Sequence, residues 1–166
     1  MKQGSTIFLK IALVIMGLPV LALCIFLLPK WVSEAVEVLQ ASGGDSQLAY
    51  IVLGILAIMY LSAIPYYFVL YQSYKLLSYI DKNKAFSDIS VVALKKIKVC
   101  ALIISGLYVL SLPLVFAIAE WDDAPGLVII GAVPVGASLV IAVFAAVLQR
   151  LLNEAINIKS ENDLTV

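Results

Sequence analysis

Histidine is missing from the sequence, which excludes imidazole as a general base or a metal ligand. Charge is scarce as well. Only 13% of residues are charged and 63% are apolar, whereas a soluble domain is roughly a quarter charged and about half apolar. A watery surface cannot cover an apolar excess of that size, so a bilayer is the natural solvent. The 11 basic and 11 acidic residues cancel. That balance argues against a nucleic-acid footprint, and no direct nucleic-acid binding is expected. Cysteine is limited to Cys24 and Cys100, both on apolar segments, where they read as small buried hydrophobes. The sequence offers no nucleophile–base pairing, no metal-ligand spacing and no glycine-rich phosphate loop. Asp122 and Asp123 are adjacent after Trp121 and read as a solvated turn. No enzymatic activity and no cofactor are expected.

Long apolar runs are what the sequence does have. A spanning helix needs roughly 20 predominantly apolar residues, and four stretches qualify: 7–28, 48–74, 99–119 and 126–148. The expected fold is all-α, a four-helix transmembrane bundle in a single integral membrane domain over 1–166. The first stretch is longer than the roughly 7–15 apolar residues of a signal peptide. Its flank, Pro29-Lys30-Trp31-Val32, offers no small-residue cleavage site, so a retained helix is expected. None of the four stretches contains Asp or Glu, the usual mark of an ion path or proton relay. Lys10 lies one turn inside the first, where its ammonium can snorkel.

Charge sorting orients the spans. Lys2, Lys10, Lys75, Lys82, Lys84, Lys95, Lys96, Lys98, Arg150 and Lys159 fall on one side, and Lys30 alone on the other. By the positive-inside rule the basic side is cytoplasmic. Both termini are then cytoplasmic, and the expected location is the bacterial plasma (inner) membrane. Glu34, Glu37, Asp45, Glu120, Asp122 and Asp123 fall outside, as do Trp31 and Trp121 at the outer boundary. Cys24 and Cys100 are thereby placed near opposite faces, too far apart for a disulfide.

Helical pattern continues past the membrane on the inner side. It runs from Tyr74 to Ile80, breaks at 81–84, and restarts behind the N-cap candidate Ser87. The hairpin tip is expected over about 75–98, continuous with the third span. Leu148, Leu151, Leu152, Ala155 and Ile156 carry an amphipathic stripe to about Ile158, within a cytoplasmic tail at 149–166 whose last residues, from Ser160, are expected to fray. These projections are expected to pack together.

Four features admit two explanations each. Pro19, Pro65, Pro113 and Pro134, one per span, read as ordinary kinks or as hinges. Ala132 and Gly136 form a small-xxx-small pair that suits internal helix packing, with homo-oligomerisation the other use. Tyr60, Tyr67, Tyr71 and Tyr74 share a face of the second span, suiting anchoring and core packing ahead of ligand binding. Lys95, Lys96 and Lys98 face anionic head groups or a protein partner.

Ala85-Phe86-Ser87 ahead of Leu94-Lys95-Lys96-Ile97, then Asp122-Asp123-Ala124-Pro125-Gly126, then the ending Lys159-Ser160-Glu161-Asn162-Asp163-Leu164-Thr165-Val166, together resemble the DUF2975 family of uncharacterised bacterial membrane proteins. The resemblance covers most of the chain and is most specific at the ending. It implies a four-helix membrane protein without an established activity, whose genes often neighbour a small helix-turn-helix regulator. No catalytic residue carries over. The expected role is a regulatory or interaction protein. Its partner surface would comprise Lys95, Lys96, Lys98, Asn162, Asp163 and Leu164, and its partner would be such a regulator or another cytoplasmic protein. An immunity or stress-protection protein is the alternative. A transporter or small-molecule binder ranks lower, because the spans supply few polar groups for a cavity.

Overall fold

The computed structural model describes residues 3–82 and 86–164. Lys2, Asn83, Lys84, Ala85, Thr165 and Val166 lie outside the described residues, as do the side chains of Asn162, Asp163 and Leu164. The described residues form helices and turns without a strand. They run as α1 (Gln3–Ala22), a π-helical turn (Leu23–Leu27), α2 (Leu28–Ala41), α3 (Gln47–Asp81), α4 (Asp88–Trp121) and α5 (Gly126–Leu164). The π turn joins α1 to α2 without a break, so the chain forms four long rods, each long and apolar enough to cross a membrane. At about 1.5 Å per residue, the 35 residues of α3 extend about 52 Å, against a hydrocarbon core of about 30 Å. Connectivity puts both chain ends at the end of the bundle holding the α3–α4 turn, called the terminal end below. Trp31 and Trp121 lie toward the other, the tryptophan end.

Two expected boundaries move. Residues 29–41 look like a charged loop, because Pro29 and Lys30 follow the apolar run. They form α2 instead, with Leu28 and Ala35 buried and α3 as their packing surface. Proline is tolerated in the first turn of a helix, where its missing N–H leaves no helical carbonyl unserved. The first rod is therefore extended too, at the tryptophan end, and the turn to α3 is short. Gly43 (φ +66°) and Gly44 (φ +89°) make that turn in a backbone region most residues avoid. At the other end α5 continues to Leu164, past Ser160, from which fraying is expected. No glycine or proline follows Gly136 to stop it.

The rods are arranged as a row rather than a closed ring. α4 packs on both α3 and α5, whereas α1 packs on α3 and makes no substantial contact with α5. Small residues explain α4. Its buried positions include Ser90, Ala93, Ala101, Ser105, Ser111 and Ala119, which let neighbouring backbones approach closely. Gly131 supplies the close approach on α5: a Cβ there would meet Val115 Cγ1 at 3.1 Å. The internal packing expected of Ala132 and Gly136 is not seen. Both are exposed, and a Cβ on Gly136 would meet nothing within 4 Å.

Tyrosine hydroxyls hold α1 on α3. Tyr66 donates to the Met16 carbonyl (2.8 Å) and Tyr67 to that of Gly17 (2.9 Å), both in the turn before Pro19. Tyr60 donates to the Cys24 carbonyl at 3.2 Å. That carbonyl has a specific need. The π register sends the Leu28 N–H to Leu23 O, and the next residue, Pro29, has no N–H. Neither the i+4 nor the i+5 donor is left for Cys24, and the Tyr60 hydroxyl takes their place. Gly17 sits under Leu70, where a Cβ would be 3.2 Å from Cδ1. The tyrosine face is thus a seam between helices.

Tyr60→Phe should cost about 0.6 kcal/mol, and no more than roughly 1.7, the range for interhelical hydrogen bonds in membranes. Reversible unfolding in mixed micelles measures it, with Tyr50→Phe as the control at the rim.

Candidate functional site

Two regions bring polar and apolar groups together. The first is the terminal end. Lys10 on α1 donates a hydrogen bond to Asp81 at the last residue of α3, and its ammonium also stands 5.5 Å from the centre of the Tyr74 ring. Lys10 is therefore clamped to a carboxylate rather than simply snorkelling. Hydrogen bonds from Lys10 and from buried Thr6, together with the Lys10 charge, hold the Asp81 carboxyl below the usual carboxylate range. Lys98 is also engaged: it donates to Gln149 Oε1 at 3.0 Å and ties α4 to α5. Its expected companions Lys95 and Lys96 are exposed. Arg150 pairs with Glu154 one turn on. Backbone placement puts Asn162, Asp163 and Leu164 in the last turn of α5, away from Lys95 in sequence, and the structure says nothing of their side chains.

Beside these groups lies an apolar groove of about 470 Å³. Leu76 and Ile80 from α3, Phe86 from the turn, Leu94 from α4, and Leu148, Leu151, Leu152 and Ala155 from α5 line it. The amphipathic stripes expected beyond the membrane do meet, but they leave a gap. Phe86 is 62% exposed and Leu151 56%.

The second region lies midway along the rods. Ser62, Ser105, Ser111 and Ser138 are buried there, and Tyr108 half-buried. Ser62 Oγ lies 2.9 Å from the Met59 carbonyl and 3.2 Å from Tyr108 Oη. Ser138 donates to the Pro134 carbonyl at 2.7 Å, and Ser111 to that of Tyr108 at 2.7 Å. Sequence reasoning found only that the spans supply few polar groups. It missed that Ser62 meets Tyr108, 46 positions away, and that Lys10 meets Asp81, 71 positions away. No local signal connects residues so far apart.

These features define a helical integral membrane protein with four candidate spans. A family model described as "Protein of unknown function (DUF2975)" matches residues 38–166. The uncharacterized membrane protein YoaS of Bacillus subtilis (strain 168) is 58% identical over 166 residues, the full length of both chains. The chain belongs to the DUF2975 family. No solved structure matches it.

The clamp has a defined pH dependence. A carboxylate whose pKa is lowered by folding stabilises the fold fully above its unfolded value, 3.8, and the contribution is lost as pH falls through the folded value. The melting temperature of Asp81→Asn should therefore lie below that of the parent by a constant margin from pH 7 to 5. The margin should shrink only below pH 3.8. Differential scanning fluorimetry across that range in detergent measures it.

Proposed function

We propose that this is a non-enzymatic regulatory protein of the bacterial plasma membrane, with both termini in the cytoplasm. It binds a soluble protein through the groove at its terminal end. The single observation behind this reading is the apolar groove itself, open at Phe86 and Leu151 and at one end of rods longer than a hydrocarbon core is thick. In lipid an apolar surface carries no penalty. In water such a surface marks an interaction site. The lysine asymmetry, ten basic residues against one, supports the orientation that puts the groove in the cytoplasm. A groove lined at helical spacing suits an amphipathic helix laid into it. The fitting partner is a helical cytoplasmic protein such as a small helix-turn-helix regulator. Exposed Lys95 and Lys96 and the last turn of α5, with Asn162, Asp163 and Leu164, flank the groove in this reading.

Topology and docking are tested separately. A cytoplasm-dependent reporter fused after Val166 should be active and one inserted at Gly44 inactive; the reverse would overturn the orientation. A photoreactive residue at Phe86 should cross-link one defined protein in intact cells. Leu151→Asp should reduce that cross-link about tenfold, whereas Leu139→Asn, on the α5 face within the spans, should leave it unchanged.

A further inference from the structure

The row arrangement leaves a second opening, independent of the groove. Because α1 leans on α3 and makes no substantial contact with α5, the bundle has a lateral gap between its first and last rods. Behind the gap is a cavity of about 280 Å³ lined by all four rods. Its walls include Cys24 of the π turn, Ser62 and Tyr66 of α3, Tyr108 of α4, and Ser138 and Ile141 of α5. Ser62, Tyr108 and Ser138 fall well inside the apolar stretches 48–74, 99–119 and 126–148. In a bilayer the gap therefore opens on acyl chains rather than on water. A π turn within an α-helix often accompanies a functional site, and this one lines the cavity.

An occupant arriving from acyl chains must itself be lipid-soluble. An apolar cavity of roughly 150 Å³ accepts one benzene. By that measure this one holds about a dozen carbon atoms, the size of a single aliphatic chain.

The polar groups of the wall narrow the choice further. Each hydroxyl has one proton and two acceptor sites. Tyr66 gives its proton to the Met16 carbonyl, and Ser138 to the Pro134 carbonyl. Ser62 donates to the Met59 carbonyl at 2.9 Å and to Tyr108 Oη at 3.2 Å, one proton shared between two acceptors. Tyr108 Oη is thus the receiving atom of that contact. Its own proton has no acceptor among the described residues, and the half-buried phenol ends on the cavity wall beside Ser62. The Cys24 thiol, free of any disulfide, is a second and weaker donor. A hydroxyl proton held away from water without an acceptor is unfavourable, so the cavity calls for an acceptor. A hydrocarbon chain brings none. A carboxylate or phosphate brings acceptors with a charge that is costly within hydrocarbon. An alcohol accepts, but adds a proton that needs an acceptor of its own. A ketone or ester brings an uncharged carbonyl oxygen and nothing left to satisfy.

We propose that this cavity binds a neutral single-chain lipid through a carbonyl oxygen, which accepts the Tyr108 hydroxyl proton, and that the lipid enters sideways from the bilayer between α1 and α5.

The test uses the full chain in nanodiscs of ether-linked phosphatidylcholine, whose lipids carry no carbonyl. A diazirine-tagged 2-dodecanone is the probe, and labelled sites are mapped by peptide mass spectrometry. Labelling should concentrate on lining residues such as Cys24 and Ile141. Untagged 2-dodecanone should compete about tenfold better than 2-methyl-1-dodecene, the difference one ordinary hydrogen bond makes. The alkene has the same shape, with a methylene in place of the carbonyl oxygen. Tyr108→Phe keeps the ring and removes the proton. It should abolish the ketone preference and leave competition by the alkene unchanged. The stretch of a carbon-13 carbonyl in the bound ketone should lie at lower frequency in the parent than in Tyr108→Phe, a readout that a merely structural tyrosine would not move. Ser62→Ala should leave the preference in place, because Ser62 is the donor in its contact with Tyr108. Ala137→Leu, at an exposed position on the cavity rim, should remove the competable labelling with little change in melting temperature. Repeating the labelling in ester-linked phosphatidylcholine separates the two sources of a carbonyl. Unchanged labelling assigns the site to a free carbonyl lipid. Loss of labelling there would assign it to the ester of a bilayer lipid and overturn the single-chain occupant. Three other results would each overturn the proposal. One is labelling spread evenly over lipid-facing residues such as Ile129 and Phe144, as filling by bulk acyl chains predicts. The second is equal competition by ketone and alkene in the parent. The third is a ketone preference that survives Tyr108→Phe.

Discussion

A polypeptide in hydrocarbon has no water with which to satisfy its backbone, and this constraint organises the molecule. Each rod contains a proline that withdraws a donor, and the first rod also changes register at its π turn and meets Pro29 directly afterwards. The carbonyls that lose partners in this way must find others from neighbouring helices. The Cys24 carbonyl finds one on α3 in the Tyr60 hydroxyl, and Tyr66 and Tyr67 of the same helix add hydrogen bonds to the Met16 and Gly17 carbonyls. These tyrosines double as the attachment of α1, which has few buried residues of its own: Thr6 and Gly17 among those described.

The asymmetry of the bundle follows. α4 meets its neighbours through serines and alanines and lies between α3 and α5. α1 is held by a line of hydroxyls, by Gly17 against Leu70, and at the terminal end by the Lys10–Asp81 clamp. α1 has no second seam against α5. The gap and the cavity between the rods follow from that one-sided attachment, and the serines facing the cavity are satisfied mainly by carbonyls of their own helices. The groove at the terminal end has a different origin. There the stripes of Leu and Ile converge, and the packing stops short of filling the space between them.

Much of this was legible along the chain. The all-helical class, the four spans, the restart of helix behind Ser87 and the family could each be read from local runs and motifs, because hydropathy and helix starts depend on neighbouring residues. The extent of the first rod could not. Pro29 and Lys30 are loop signals unless α3 offers a surface for Leu28 and Ala35. Lys98 read as facing head groups or a partner, yet it donates to Gln149 of α5. Ala132 and Gly136 had the right spacing for packing, yet Gly131, one position away, faces the neighbour. One residue along a helix is about 100° of rotation, and spacing alone does not say which face turns inward.

The sequence by itself determined that this chain is a membrane protein of four helices, since apolar length and lysine placement are properties of each segment against its solvent. Only the tertiary structure decided that the helices form an open row, that a tyrosine of α3 completes the backbone of the π turn, and that four separate hydroxyl-bearing residues share a cavity. Those facts depend on which helix faces which. That choice is settled by packing and by the backbone's demand for donors, between residues far apart in the chain.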